Sequence, residues 1–243
     1  MNRELALMSW VDFEEIAAET DLALVPVGAV EVYGPHMPQG TDGIVAHALS
    51  VAVAERAGGV VAPLVPVGFS RSLTSFRGTL SVAPDAVREY CRGIAESLLD
   101  SGLRRVLFVN GHLGNVPAID ELCLELAADG CRLAQVDVWR FIQPFTTEWL
   151  SSTEWKFGHA GEAMTAVILY LRPDLVRMDR AVKGAPERPT AALGLSRPYS
   201  YRELSPQGLL GDSTLGTPEL GRRIFEATVD RLIEYVTGRE FGG

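Results

Sequence analysis

Leu22-Ala-Leu-Val-Pro-Val27 is an apolar run that passes directly into Gly28-Ala-Val-Glu31-Val-Tyr33-Gly34-Pro35-His36-Met-Pro38-Gln-Gly40-Thr41-Asp42, and from Asp42 to Arg56 the apolar residues recur at helical spacing. A short continuous apolar run bounded by Gly and Pro reads as a strand buried on both faces, and the loop and helix that follow read as the start of a βαβ unit. The alternation continues along the chain. Val60–Val67, Val106–Val109 and Leu133–Val138 read as further buried strands, and Pro84–Leu99, Pro117–Ala128, Glu162–Leu171 and Pro218–Val236 as helices. Helix-end residues agree: Thr41 or Asp42 can cap the first helix, Pro84 suits a first turn, and Gly102 and Gly130 suit C-terminal stops. The pattern predicts a parallel sheet covered by crossover helices, as one α/β domain over residues 1–243.

Two stretches depart from this regularity. Phe141–Phe157 is aromatic and irregular, and Arg180–Gly221 holds five prolines and six glycines with little periodicity. A loop that long inside a domain is usually functional or packed against another subunit.

Composition narrows the partners. With 22 Lys and Arg against 31 Asp and Glu, the net charge is −9. No basic run is present to neutralise phosphates, so nucleic acid is not an expected partner. The apolar run from Leu22 meets a carboxylate at Glu31, and no stretch approaches the ~20 residues of a membrane span. Residues Met1–Ala6 interleave acidic and basic side chains and do not resemble a secretory leader. The cysteines, Cys91, Cys123 and Cys131, are odd in number and lack CxxC spacing, which points to a reducing cytoplasm.

In an open parallel sheet, ligands bind beyond the carboxyl ends of the strands, so the strand exits carry the chemistry. The first exit, from Glu31 to Asp42, holds two carboxylates, a phenol (Tyr33) and an imidazole (His36). The third is Asn110-Gly111-His112-Leu113-Gly114-Asn115. His36, His112 and His159 fall in such exits or in loop-to-helix segments, whereas His47 sits within a helical pattern and reads as packing. Carboxylate oxygens and neutral imidazoles arriving from separate loops are what a divalent metal requires, and Glu31, Asp42, His112 and Glu162 are candidates to provide them. Blander uses stand beside each: Asp42 as a helix cap, Glu31 as a solvated loop carboxylate, His112 as a turn residue. Signatures of serine hydrolases, P-loop nucleotidases and dinucleotide oxidoreductases are missing, as are HExxH and paired CxxC.

The stretch Val25–Asp42, together with Gly78-Thr79-Leu-Ser81, Val109-Asn-Gly-His112-Leu-Gly-Asn115, His159-Ala-Gly-Glu162 and Gly208-Leu-Leu-Gly-Asp212 through Gly221, resembles the creatininase family of creatinine amidohydrolases in order over nearly the whole chain. The resemblance implies a three-layer α/β/α sandwich with a mostly parallel central sheet, usually a homohexamer, with one or two divalent metals (Zn, Mn or Fe) per subunit, hydrolysing C–N amide bonds in small, often cyclic substrates by metal-activated water. It implies that Glu31, Asp42 and His112 are metal ligands, with Asp42 at the bridging position and Glu162 on a second metal. It further implies that His159 is the catalytic acid/base and that Trp139 and Trp155 contact substrate, although ordinary loop packing also accounts for Trp155.

Departures from the family pattern bear on function. Tyr33 stands where the family carries a ligating histidine, and a neutral phenol with a reference pKa of ~10 is a poorer ligand than imidazole. Tyr33 as phenolate, His36 swung inward, or a single metal are the alternatives. Leu73 and Met164 also replace the family's usual His and Glu. These changes argue against creatinine itself as substrate. A non-catalytic ligand-binding relative, or a peptidase-like member acting in cofactor or natural-product maturation, remains a competing reading.

Overall fold

The strand β1 (Leu22–Val27) is buried along its whole length. This is the expected fate of a central strand with helices on both faces. The computed structural model describes residues 2–127, 130–184 and 199–242. In chain order the elements are α1 (Trp10–Ala17), β1, α2 (Thr41–Ala57), β2 (Val60–Val61), α3 (Pro84–Asp100), β3 (Arg105–Asn110), α4 (Val116–Leu126) and β4 (Arg132–Asp137). Then come α5 (Val138–Phe141), α6 (Gln143–Thr146), α7 (Glu162–Leu171), β5 (Lys183–Gly184), α8 (Tyr201–Leu204), β6 (Gly211–Asp212) and α9 (Pro218–Thr237). The main sheet is parallel in the order β2-β1-β3-β4.

Side-chain alternation along the strands separates two cores. Leu22, Leu24, Leu107 and Val109 face α2, α7 and α9, while Ala23, Val25, Val27, Val106 and Phe108 face α1, α3 and α4. That is the three-layer α/β/α arrangement. Among the described residues no helix is long and apolar enough to cross a membrane, and the cysteines are unpaired.

Three expectations need correction. The strand over Val60–Val67 shrinks to Val60–Val61 plus an isolated bridge between Val27 and Val65, because Pro63 and Pro66 carry no N–H to continue the ladder. Pro26 is tolerated in central β1 because its carbonyl accepts from Val65, so its missing donor faces the side where that ladder has already ended. The helix from Pro117 stops at Leu126, and its expected end at residue 128 lies outside the described residues. The region 180–221 is not structureless where it is described: β5 and β6 pair antiparallel, and α8 opens with a capping box between Ser200 and Glu203. Residues 185–198 lie outside the description.

Helices α7 and α9 pack at very close range through Gly221, where a Cβ would stand 1.9 Å from the Ala166 carbonyl oxygen. Gly93 in α3 is its opposite, exposed and with nothing within 4 Å of a built Cβ. Chemical denaturation is therefore expected to show Gly221→Ala destabilised by about 1–3 kcal/mol through overpacking. In the same assay Gly93→Ala should gain about 0.5–1 kcal/mol. Equal effects at the two positions would contradict this packing.

Candidate metal centre and cleft

The order β2-β1-β3-β4 sends the chain away from β1 in both directions, and the loops leaving β1 and β3 part at that switch point. Glu31 and Asp42 arrive on the first loop and the first turn of α2, and His112 arrives just beyond β3. The ligand atoms of Glu31, Asp42 and His112 all lie within 4.8 Å of one another, and all three residues are buried. His112 Nδ1 is 3.2 Å from Glu31 Oε2 and 3.4 Å from Asp42 Oδ2.

The surrounding bonds orient these atoms. His112 Nε2 donates to the Phe69 carbonyl at 2.9 Å, which aims Nδ1 at the two carboxylates. Fixing the distant imidazole nitrogen on a carbonyl is how proteins set the tautomer of a ligating histidine. Gly114 makes this approach possible, since a Cβ there would lie 2.5 Å from Nε2 and 2.2 Å from that carbonyl oxygen. The His112 loop is tied down by Asn110 Oδ1, which accepts from the His112 and Asn115 N–H groups. Ser70 donates to Glu31 Oε2 at 2.5 Å.

Asp42 is fully buried, and its two oxygens differ. Oδ1 accepts from the Tyr33 hydroxyl and, at 3.2 Å, from Trp139 Nε1. Oδ2 makes no hydrogen bond, and its neighbour is His112 Nδ1 at 3.4 Å. A buried carboxylate oxygen without a hydrogen bond is costly, and a cation relieves it. Two carboxylates set against a single imidazole, which ligates through Nδ1 once that nitrogen has lost its proton, leave the pocket negative, so the donor set suits a divalent ion.

Electrostatics follow from this crowding. Burial and the Glu31 charge push the Asp42 carboxyl up despite His112 and Tyr33. Burial also pushes on Glu31, but its bonds to His112 and Ser70 and the nearby His159 hold it below the carboxylate range. Burial opposes charge on His112, yet Asp42 and Glu31 hold its pKa well above the usual histidine value. Burial, then Asp42 and Glu31, drive the Tyr33 phenol well above its ordinary value. The Tyr33 hydroxyl accordingly donates to Asp42 Oδ1 in this arrangement.

His159 joins the cluster. Its Nδ1 lies 3.9 Å from Glu31 Oε1, its Nε2 donates to the Val32 carbonyl at 2.6 Å, and its ring lies over Tyr33 with centroids 4.3 Å apart. Ala160 beside it has φ 58°, and Trp155 has φ 49°. Left-handed backbone at non-glycine residues stores strain and concentrates at functional sites. A cleft of about 1140 Å³ opens onto the cluster, lined by Glu31, His112, His159, Trp139, Trp155 and Tyr201 among others.

Two expected ligands are not brought to the cluster. Glu162, the first residue of α7, accepts from the Ser151 and Ser152 N–H groups at 2.8 and 2.7 Å. Both oxygens are thereby committed to holding the preceding loop on the helix N-terminus, where an anion is stabilised. His36 is 1% exposed, with Nε2 2.9 Å from Thr165 Oγ1, and does not turn inward. Trp139 lines the cleft but also serves as a donor to Asp42. His47 pairs with Glu4 at 2.7 Å, away from the site. Sequence reasoning missed Phe69, Ser70 and Tyr201, which come from stretches with no motif.

His36 generates a prediction. Burial lowers its pKa from 6.5 to about 4. Between those values the unfolded chain takes up a proton that the folded chain refuses, so stability falls as pH drops from 6.5 towards 4, by at most about 3 kcal/mol. Urea denaturation at pH 7, 5.5 and 4 should show His36→Gln losing less stability than wild type over that interval. Parallel curves would contradict it.

Comparison with known proteins agrees with this geometry. The creatininase family model, described as creatinine amidohydrolase, matches residues 6–236. The chain is 33% identical over 233 residues to the mycofactocin precursor peptide peptidase of Mycobacterium ulcerans (strain Agy99), covering 88% of this chain and 83% of the relative. It is 29% identical over 251 residues to the creatinine amidohydrolase of Pseudomonas putida, covering 94% of each. A solved structure titled "Creatininase Mn" superposes with a TM-score of 0.87 at 26% identity over 100% of both chains. A strand-exit cluster of two carboxylates and an imidazole, this topology and these similarities together place the chain in the creatininase family.

Proposed function

We propose that the protein is a metal-dependent amidohydrolase that cleaves the C–N amide bond of a short peptide, with one divalent cation per chain held by Glu31, Asp42 and His112. The observation that carries this reading is Asp42 Oδ2, buried and unpartnered beside Glu31 and His112. When bound, such an ion polarises a carbonyl and lowers the pKa of water towards about 7. A single ion is favoured because Tyr33 and Trp139 both donate to Asp42 Oδ1, the oxygen a second ion would need.

The chain supplies the proton traffic. His159 Nδ1 carries the free lone pair, since Nε2 is spent on Val32, and it faces the cleft beside Glu31. It accepts the proton of the attacking water and returns it to the departing nitrogen. Trp155 forms a wall of the cleft, and Leu73 and Met164 give it apolar lining. The volume exceeds that needed for one small ring and accommodates several residues of peptide. The similarity to peptide peptidases supports the same substrate class.

Elemental analysis is expected to find close to one zinc, manganese or iron per chain, falling to background in His112→Ala with the circular dichroism spectrum retained. The His159→Ala variant should keep its metal and lose about 10²–10⁴-fold in turnover. Amine release from short peptides should exceed release from creatinine and stop on chelation. Full metal occupancy without His112, or faster turnover of creatinine than of any peptide, would overturn the assignment.

A further inference from the structure

Tyr201 stands in the cleft with a hydroxyl that nothing in the site consumes. It opens the short helix α8, whose capping box fixes the backbone: Ser200 Oγ accepts from Arg202 N at 3.3 Å and Glu203 accepts from Ser200 N at 3.1 Å. Its ring packs edge-on against His159 with centroids 5.3 Å apart. The hydroxyl oxygen is buried and has no hydrogen-bond partner. Buried polar groups are almost always paired, so an unpaired O–H in a ligand cleft is a donor kept for the ligand.

We propose that Tyr201 is a catalytic residue, whose O–H donates a hydrogen bond to the carbonyl oxygen as that oxygen gains charge during water attack. This rests on the amidohydrolase reading above. Other groups nearby do not fit the task. The Tyr33 O–H is committed to Asp42, the Trp139 N–H likewise, and Asp137 in the cleft wall, whose Oδ2 lies 3.5 Å from Arg140 Nε, is an acceptor that would repel an oxyanion.

The step balances as follows. The water oxygen bonds to the carbonyl carbon, the π pair moves onto the carbonyl oxygen, and the water's proton goes to His159 Nδ1. The C–N bond then breaks, its electron pair leaves on nitrogen, and nitrogen takes the proton from His159, giving a carboxylic acid and an amine. Tyr201 keeps its proton throughout. Burial, then the Glu31 carboxylate, raise its pKa above the usual phenol value, which is what a pure donor requires.

The test compares metal-loaded wild type with Tyr201→Phe, which retains the ring against His159. Peptide turnover is measured together with binding of a dipeptide phosphinate, whose tetrahedral oxyanion mimics the adduct. Expected are unchanged metal content, a kcat lower by about 10²–10³-fold, as for loss of one oxyanion donor, and KM within about threefold. Phosphinate binding should weaken at least about tenfold, and the pH profile of kcat/KM should keep its shape because His159 is undisturbed. An active wild type with a Tyr201→Phe variant within twofold of it in kcat and phosphinate affinity overturns the proposal alone. A shifted pH profile overturns it in favour of a packing role through His159. A wild type that neither cleaves any peptide nor binds the phosphinate overturns the underlying amidohydrolase reading, and this proposal with it.

Discussion

Two carboxylates buried against one imidazole are the constraint around which this protein is organised. Glu31 and Asp42 are 1% and 0% exposed, and His112 is the imidazole they share. Bringing like charges together without water is unfavourable, and the fold answers with donors: Ser70 for Glu31, Tyr33 and Trp139 for Asp42. One oxygen is left over, Asp42 Oδ2. The rest of the architecture, from the glycine-mediated approach of the His112 loop to the Asn110 and Asn115 bonds between loops, serves to hold that arrangement in place.

Tyr33 changes what such a centre does. A histidine at this position would offer a lone pair, whereas a phenol that stays protonated offers a hydrogen. The side chain therefore acts on Asp42 and takes an oxygen out of play. The same substitution places an aromatic face under His159, so one residue touches both the carboxylate and the imidazole.

The cleft combines rigid and less regular parts. Its floor is built at strand ends, on elements anchored by the parallel sheet, and one wall comes from Tyr199–Glu203. Of the region 180–221, expected to be functional or packed on another subunit, this segment lines the cleft. Leu73 and Met164, read from the sequence as departures from the family pattern, both line the same space and make it more apolar.

Hydrophobic periodicity and helix-end residues determined the layer architecture and the loops that bear the chemistry, because burial on two faces and capping are local demands written in neighbouring residues. Glu162–Leu171 is found at the boundaries its apolar pattern indicated, while Val60–Val67 lost its ladder to two prolines visible in the same letters. Which donor meets which carboxylate was decided only in three dimensions. Glu162 looked like a ligand beside His159 in the chain, yet its oxygens are taken by the backbone of Ser151 and Ser152. Tyr201 carried no motif and lies against His159, 42 positions earlier in the chain. Hydrogen-bond partners depend on angles and distances set by packing between remote segments, and no spacing along the chain encodes them.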